Sequence, residues 1–335
     1  MIPGDIGREL GLPASGTWRP APPGAGGAPG TYATSLPFLM ASAAGQEPGQ
    51  IAAGLAARLS RVAWVAGTSV TGGGYLTVTV TPEALAALAV RIPEAGVGCA
   101  ASDALCGTEV AAPAIADPSC AATWEEARKQ TAAAVTGRLA KAAGATVRAA
   151  SLPSRPPPPA GAGPAAAVAF AGTDAIRYAL LRTGPAGAGP IDARRCVRNA
   201  LENPFFAVRY AHADAASVLR WAVGLGVDRG PADAFRPGML THPAERRLLD
   251  LMSWLPERAV SAARRRQPDV FTRYLERLSG AWLDCRESCP ALPFGGRSAP
   301  RDGAGAAARL WLAAAAQTAL GTGLQLLGVA APQRV

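Results

Sequence analysis

Apolar residues recur every three or four positions through most of the second half of the chain. The run 270–285 shows this period most clearly, because one face of the implied helix carries Val270, Phe271, Tyr274, Leu275, Leu278, Trp282 and Cys285. The same period begins near Gly172 and ends with a helix predicted over 306–327. Amphipathic helices joined by short loops are typical of a bundle, so we predict an all-α helical bundle over residues 171–335.

A mixed pattern marks residues 31–95. The segment GYLTVTV alternates apolar and polar side chains, which predicts a half-buried strand with Leu76, Val78 and Val80 on one face. Gly72–Gly74 precede this strand and predict a hairpin turn, while the apolar spacing over 36–59 predicts two helices. Residues 31–95 are therefore predicted to form a small mixed α/β domain.

Two stretches lack such patterns. Residues 1–30 contain PAPPGAGGAPG and are predicted to be a flexible lead-in, because this composition suits neither helix nor sheet. Residues 96–170 are predicted to be a Pro/Gly/Ala-rich connector with one helix over 122–145 and, over 151–167, a stiff polyproline segment followed by a flexible tail. The predicted fold class is α+β and predominantly α: a small N-terminal domain, a connector and an all-α bundle.

The charge of the chain lies mainly in its second half. Basic residues number 33 and acidic residues 24, and all but Lys129 and Lys141 of the basic residues are arginines. Residues 168–335 hold 22 of the basic and 14 of the acidic residues. Arginine suits phosphate because its planar guanidinium donates two directed hydrogen bonds. The charge alone is compatible with nucleic acid, an anionic membrane or simple solubility.

Other classes of protein are disfavoured. Six cysteines at irregular spacings and only two histidines predict no zinc site, and we expect no metal and no cofactor. The start MIPGDIGREL lacks a secretory pattern, so we expect a cytoplasmic protein. The uncharged stretch 310–333 is long enough to cross a bilayer, but its Gln and Thr residues favour a buried bundle helix over a membrane partner.

Four segments of the second half stand in an order that suggests a family. They are TDAIRYALL (173–181), ENPFFAVRYAHA (202–213), YLERLSGAW (274–282) and the final LLGVAAPQRV. Together they resemble the anticodon-binding domain of class I arginyl-tRNA synthetases, often called the DALR domain. GTYATSLPFLMA (30–41) and the hairpin GGGYLTVTV resemble the N-terminal additional domain of the same synthetases.

The resemblance implies a protein that binds tRNA, and in particular one that binds arginine tRNA. In that family the bundle holds the anticodon arm and the additional domain contacts the tRNA elbow. The implied bundle candidates are Asn203, Phe206, Arg209, Tyr210, His212, Arg264, Arg265, Arg266, Arg273 and Tyr274. The implied elbow candidates are Tyr32, Thr34 and Tyr75. For Tyr210 and His212 the alternative is that they are residues of the core. For Arg264, Arg265 and Arg266 the alternative is that their charges stabilise a helix end through the helix dipole.

Three positions depart from the family pattern. Asp214 follows Tyr-Ala-His-Ala where arginine is usual, Arg209 replaces glutamine, and Val335 replaces methionine. An aspartate near a phosphate would repel it, whereas Arg209 could supply a contact one turn earlier. The departures concern anticodon specificity more than general affinity for tRNA.

The catalytic signatures of the family are not found in this sequence. His-x-Gly-His cannot occur, because the only histidines are His212 and His242, and no Lys-x-Ser-Lys is present. A connector of about 75 residues is also short for a parallel sheet built of crossover units. We therefore expect that the chain is not an enzyme and that it binds tRNA without catalysing the ligation of arginine to it. We expect no DNA partner. A scaffold for protein contacts and a subunit that assists a separate arginyl-tRNA synthetase are the alternatives.

Overall fold

The computed structural model describes residues 1–11, 18–20, 28–114, 116–150, 163–292 and 303–335. The helices in these ranges are α1 (Ile2–Glu9), α2 (Leu36–Ala44), α3 (Pro48–Leu59), α4 (Pro82–Ala86), α5 (Leu88–Ala95), α6 (Trp124–Ala142), α7 (Gly163–Ala171), α8 (Thr173–Thr183), α9 (Ala193–Cys196), α10 (Pro204–Gly224), α11 (Pro243–Ser253), α12 (Leu255–Arg265), α13 (Pro268–Ser288) and α14 (Gly303–Leu327). The strands are β1 (Trp18–Pro20), β2 (Thr31–Thr34), β3 (Val65–Thr71), β4 (Tyr75–Val80), β5 (Glu109–Ala112) and β6 (Thr146–Ala149). The predicted fold class, a predominantly helical chain with a small mixed N-terminal region, is confirmed.

The N-terminal sheet is antiparallel with strand order β1-β2-β4-β3. Leu76, Val78 and Val80 are buried as the alternation predicts, and the hairpin turn lies at Gly72–Gly74. Glycine is required at position 74, because φ is 157° there and a Cβ atom would lie 2.7 Å from Pro48 Cβ.

The N-terminal sheet packs directly on the helical bundle through α11. The Tyr32 hydroxyl donates to Ser253 Oγ at 2.9 Å, and the Tyr32 ring lies 5.1 Å from the ring of Trp254. The Gly30 N–H donates to Asp250 Oδ1 at 2.9 Å. The two regions consequently share one hydrophobic core.

The prediction of a flexible lead-in is wrong for residues 2–9 and 18–20. Ile2 and Ile6 of α1 are buried in the main core, with Leu10 one turn further on, and β1 pairs with β2. The spacing of these three apolar residues was a helical signal, but the Gly/Pro-rich run that follows obscured it. Residues 12–17 and 21–27 lie outside the described residues.

Residues 96–150 contain more structure than the predicted connector. The helix predicted over 122–145 is present as α6, and its Val135, Leu139 and Ala140 belong to the main core. Strands β5 and β6 flank it and pair in parallel, which makes one β-α-β unit. At Gly137 a Cβ would lie 2.5 Å from Ala112 Cβ, so glycine lets the helix approach the strands closely. Most of the predicted polyproline segment, 151–162, lies outside the described residues.

The bundle is centred on α14. This helix contacts α10, α13 and α5, and it is the one helix in the described part of the chain that is long and apolar enough to cross a membrane. In the most apolar stretch of 18 residues of this helix, 78% of the residues are buried inside the protein. That burial agrees with the predicted bundle helix, because its alanines and glycines let neighbouring helices approach.

Candidate nucleic-acid interface

A cleft of about 510 Å³ opens between α8 and the start of α10. Arg182, Arg195 and Arg198 line it together with Tyr178 and Phe205. We call it the arginine cleft. Guanidinium groups beside aromatic rings are the combination that binds phosphates and stacks bases in nucleic acids.

Asn203 shapes the cleft as a structural residue. It is the N-cap of α10, and its side-chain oxygen accepts from the Phe205 N–H at 3.2 Å. Its amide nitrogen donates to the carbonyl oxygens of Cys196 and Arg198, at 3.0 and 2.8 Å. The predicted RNA-binding residue Asn203 thus uses these side-chain groups to hold the loop that presents Arg195 and Arg198.

The arginines of the cleft differ in how far they are neutralised. Arg182 pairs with Glu276 at 2.9 Å, and Arg195 lies 3.4 Å from Asp192. Arg198 is exposed, and its guanidinium has no hydrogen-bond or ion-pair partner within the described ranges. The cleft therefore presents at least one arginine that is available to an anion from solution.

The first turns of α10 carry a stacked aromatic pair beside the cleft. The rings of Phe206 and Tyr210 lie 5.6 Å apart with an angle of 19° between them, and both side chains are half-buried. Arg209 lies over the Phe205 ring at 5.0 Å, and its buried Nε has no hydrogen-bond partner in the described structure. The side chains of Phe206, Arg209 and Tyr210 are therefore partly exposed, and a base or a phosphate can reach them.

Further arginines continue along the ends of α12 and α13. Arg264, Arg265 and Arg266 are exposed, and Arg266 ends α12 in the left-handed conformation with φ of 54°. Arg264 donates to the Ala104 carbonyl oxygen at 3.0 Å. The exposed Arg273 lies on the next helix, where its guanidinium is 3.5 Å from the Arg182 carbonyl oxygen. Arg273 thus lies beside the end of α8, next to the arginine cleft.

Four predicted contact residues lie inside the protein instead. The Tyr274 hydroxyl donates to the Leu251 carbonyl oxygen at 2.7 Å, and burial raises the pKa of this phenol. His212 Nδ1 lies 2.9 Å from the Pro332 carbonyl oxygen, and burial lowers the pKa of the imidazole. In the N-terminal domain, Tyr32 is fully buried, and Thr34 is 1% exposed with its Oγ1 accepting from the Leu36 N–H. None of the four side chains is accessible to RNA.

Tyr75 is the elbow candidate that does lie at the surface. Its side chain is 49% exposed at the tip of the β3–β4 hairpin, and its ring lies 4.9 Å from that of Phe38. Phe38 belongs to α2, a helix without charged residues whose Leu39 is also exposed. The N-terminal domain thus offers an aromatic pair rather than a basic surface.

Asp214 does not face solvent. It is buried, pairs with Arg286 at 2.7 Å and accepts from Trp282 Nε1 at 3.1 Å. Burial raises the pKa of this carboxyl, while the Arg286 guanidinium opposes the shift. The expected repulsion between Asp214 and an RNA phosphate is therefore not a feature of this surface.

Some arginines of the basic half are buried or half-buried in ion pairs. Arg177 is 8% exposed and donates to Asp174 and to the carbonyl oxygens of Gly328 and Ala116. Arg309 pairs with the fully buried Glu245 at 2.7 Å. The number of arginines in the sequence consequently overstates how many are exposed, although these ion pairs are neutral and leave the net charge unchanged.

Arg182, Arg195 and Arg198 line the cleft but were not among the residues predicted to contact RNA. A signal for the last two was present, because DARRCVRN (192–199) places three arginines a few residues before the Asn-Pro start of α10. No group of three or more His, Cys, Asp or Glu side chains suited to a metal ion occurs among the residues that the structure describes.

Family comparisons match both regions. Residues 208–335 match the model of the DALR anticodon binding domain, and residues 27–80 match that of the arginyl tRNA synthetase N terminal domain. The chain therefore contains an anticodon-binding domain of the DALR type and an N-terminal domain of the arginyl-tRNA synthetase type.

Its relatives are arginine–tRNA ligases. The arginine–tRNA ligase of Clavibacter sepedonicus is 38% identical over 164 residues, which are 49% of this chain and 28% of that protein. That of Frankia alni is 39% identical over 165 residues, 49% of this chain and 29% of that protein. These matches span less than a third of the relatives' length. The Thermus thermophilus arginyl-tRNA synthetase shares the fold, with a TM-score of 0.64 and 15% identity over 99% of this chain and 98% of that chain.

These comparisons contradict the prediction that the chain is not an enzyme. The relatives carry the name of a ligase, and the fold of a synthetase aligns along nearly the whole chain. The prediction was wrong because it treated two missing signatures as evidence for a lost activity. It also relied on the length of residues 96–170, judged too short for a parallel sheet of several crossover units; β5, α6 and β6 form one such unit.

Proposed function

We propose that this chain binds arginine tRNA and serves arginine–tRNA ligation in the cytoplasm. The observation that carries the proposal is the arginine cleft, in which Arg182, Arg195 and Arg198 converge beside the aromatic residues of α10. The cleft arginines hold backbone phosphates, and the Phe206–Tyr210 pair offers a surface on which a base stacks. The preference for arginine tRNA rests on the names of the relatives.

Two regions of the chain divide the RNA contacts in this proposal. The bundle, residues 171–335, holds the anticodon arm through the arginine cleft, Arg209, the run Arg264–Arg266 and Arg273. The N-terminal domain, residues 31–95, contacts the tRNA elbow through Tyr75. The direct packing of Tyr32 against α11 supports a fixed distance between the two contacts.

The cleft is tested by replacing two of its arginines together. We expect Arg195→Ala/Arg198→Ala to weaken binding of arginine tRNA about tenfold or more, because two phosphate contacts are lost. The slope of log affinity against log salt concentration should fall by about 1 for each lost contact. Arg247→Ala is the matched control, since Arg247 is an exposed arginine of α11 that does not line the cleft.

Equal affinities of the double variant and the Arg247→Ala control would refute the cleft as the RNA surface. If, in addition, no RNA bound with salt dependence, the bundle would be a scaffold for protein contacts. Circular dichroism of each variant establishes that the fold is retained, because the replaced side chains are exposed.

The part played in ligation is tested by aminoacylation. Charging of arginine tRNA with arginine is measured with this protein alone, with a separate arginyl-tRNA synthetase alone, and with both together. The proposal expects charging above background with the protein alone, or a rate for the mixture above that of the synthetase alone. Charging that is absent alone and unchanged or inhibited in the mixture would exclude a role in ligation while leaving tRNA binding intact.

A further inference from the structure

Two cysteines meet at the end of α13. Cys285 and Cys289 are 2% and 5% exposed and line one small cavity with Trp221 and Trp282. They are one helical turn apart, and the Cys289 N–H donates to the Cys285 carbonyl oxygen at 2.7 Å. The two thiols also share a hydrogen bond. They therefore form a buried thiol pair, which we call the α13 thiol pair.

The backbone lets this pair close. A disulfide needs Cβ atoms about 3.5 to 4.5 Å apart, whereas residues one turn apart in a helix have Cβ atoms at about 5 to 6 Å. Cys289 is the C-cap of α13, with φ of −133° and ψ of 65°, so it has already left the helical conformation. A small rotation at this residue shortens the distance without unwinding the preceding turns.

The two thiols are not equivalent. The hydrogen bond from Cys285 lowers the pKa of Cys289, whereas the same bond and burial raise the pKa of Cys285. Cys289 is consequently the thiol that ionises first and attacks an oxidant, because the thiolate is the nucleophile. Cys285 is placed to complete the bond.

We propose that the α13 thiol pair is an oxidation site that forms a reversible disulfide with hydrogen peroxide. The Cys289 thiolate attacks one peroxide oxygen and the O–O bond breaks, which gives a sulfenic acid and a hydroxide that is protonated to water. Cys285 sulfur then attacks the sulfenic sulfur, the S–S bond forms, and the sulfenic oxygen leaves as water with the Cys285 proton. Two thiols lose two electrons to one peroxide, and two waters are produced. Added dithiol restores both thiols by exchange.

The cavity suits a small oxidant. It leaves about 30 Å³ of free space, and about 10 to 15 Å³ of such space already holds one water molecule. There is therefore room beside the two thiols for a molecule of the size of hydrogen peroxide.

Closure of the pair is also expected to alter the last turn of α13, which packs against α10. Arg286 lies between the cysteines in sequence, pairs with Asp214 of α10 and has its guanidinium 5.8 Å from the Trp221 ring centre. Trp282 donates to the same aspartate. Oxidation is expected to change the tryptophan fluorescence, because both indoles lie on the cavity wall.

The test uses the full chain with Cys106, Cys120 and Cys196 replaced by serine. Those thiols are exposed or half-buried, and their removal leaves the pair and the buried Cys99. After peroxide treatment the protein is alkylated under denaturing conditions and digested with trypsin, which cleaves after Arg286 and separates the two cysteines. The expected result is a disulfide between peptides 278–286 and 287–297, a loss of two free thiols per chain, and full recovery with dithiothreitol.

Two single variants distinguish the roles of the cysteines. Cys285→Ser should leave a sulfenic acid on Cys289 that dimedone traps, whereas Cys289→Ser should leave Cys285 unreacted. Cys99 is the internal control and should keep its thiol throughout. The proposal is overturned if the folded protein keeps all three thiols under peroxide that oxidises the denatured chain, or if Cys289 passes to sulfinic acid without the cross-link.

Discussion

His212 shows how a polar residue of α10 can be committed to the interior. Its imidazole is 4% exposed and holds the Pro332 carbonyl oxygen of the C-terminal segment. At Gly321 a Cβ would lie 3.1 Å from the ring, so α14 also confines it. The role that follows is to fix the C-terminal segment, whereas the RNA contacts proposed for this helix lie at its start.

The burial of His212 predicts a loss of stability in acid. Its folded pKa lies below the ordinary value of about 6.5, so between these values the unfolded chain binds a proton that the folded chain does not. The free energy of unfolding should therefore decrease as the pH falls below about 6.5. We expect His212→Gln to cost about 1 kcal/mol at pH 7.5 through the altered hydrogen bond, and to lose less stability than the wild type between pH 7.5 and 5.5.

Urea denaturation of both proteins at the two pH values measures this difference. The comparison between the variant and the wild type removes the contribution of carboxyls such as Asp214, whose raised pKa acts in the opposite direction. Parallel losses in the two proteins would show that His212 does not control the acid sensitivity.

Asp214 and Tyr274 show that the type of a residue alone does not tell whether its side chain is buried. Tyr274 belongs to the apolar stripe of α13, so the period that predicted the helix had already placed it on the core face. Asp214 interrupts an apolar helix, and its partners Trp282 and Arg286 are about 70 positions away. Whether a polar residue of a helix is exposed or buried depends on such partners, which are distant in sequence. The helices were therefore easier to predict from the sequence than the exposed residues that form the candidate interface.

At the level of elements, α8 and the C-terminal segment form a clasp. Asp174 accepts from Arg177 at 2.8 Å and from the Ala330 N–H at 2.8 Å, while Arg177 donates to the Gly328 carbonyl oxygen at 2.7 Å. Arg220 of α10 donates to the Gln333 carbonyl oxygen at 3.0 Å. The motifs TDAIRYALL and LLGVAAPQRV, which carry part of the family resemblance, are thus partners in space.

Removal of the Asp174 carboxylate should open this clasp. We expect Asp174→Ala to lower the free energy of unfolding by about 1.5 to 3 kcal/mol, because charge-assisted hydrogen bonds are lost and Arg177 stays buried. Hydrogen exchange at the Ala330 amide should become faster. Glu109→Ala is the control, since its ion pair with Arg148 is exposed and contributes about 1 kcal/mol or less. Unchanged exchange at Ala330 would show that other contacts hold the segment.

The elements were predictable to different degrees. The long bundle helices and the β3–β4 hairpin followed from apolar spacing and from the glycines of the turn. Strands β5 and β6 did not, because each has four residues, no clear alternation and a partner more than 30 positions away. The arginine cleft also required the fold, since the sequence does not separate the exposed Arg198 from the internal Arg177.

For the molecule as a whole, the central feature is one core that joins the N-terminal sheet, the β-α-β unit and the bundle. The arginine cleft and the exposed Tyr75 are therefore presented by a single packed body. The proposal that this body binds tRNA is supported by its similarity to arginine–tRNA ligases and by the arginines and aromatic rings of the cleft.

The most direct test of this account is the affinity of the purified protein for arginine tRNA and for the same tRNA with its anticodon replaced, measured across a series of salt concentrations. The account predicts that the intact tRNA binds at least about tenfold more tightly, a difference of about 1.4 kcal/mol, and that both affinities fall as salt rises. Equal affinities at every salt concentration would contradict anticodon binding by the bundle.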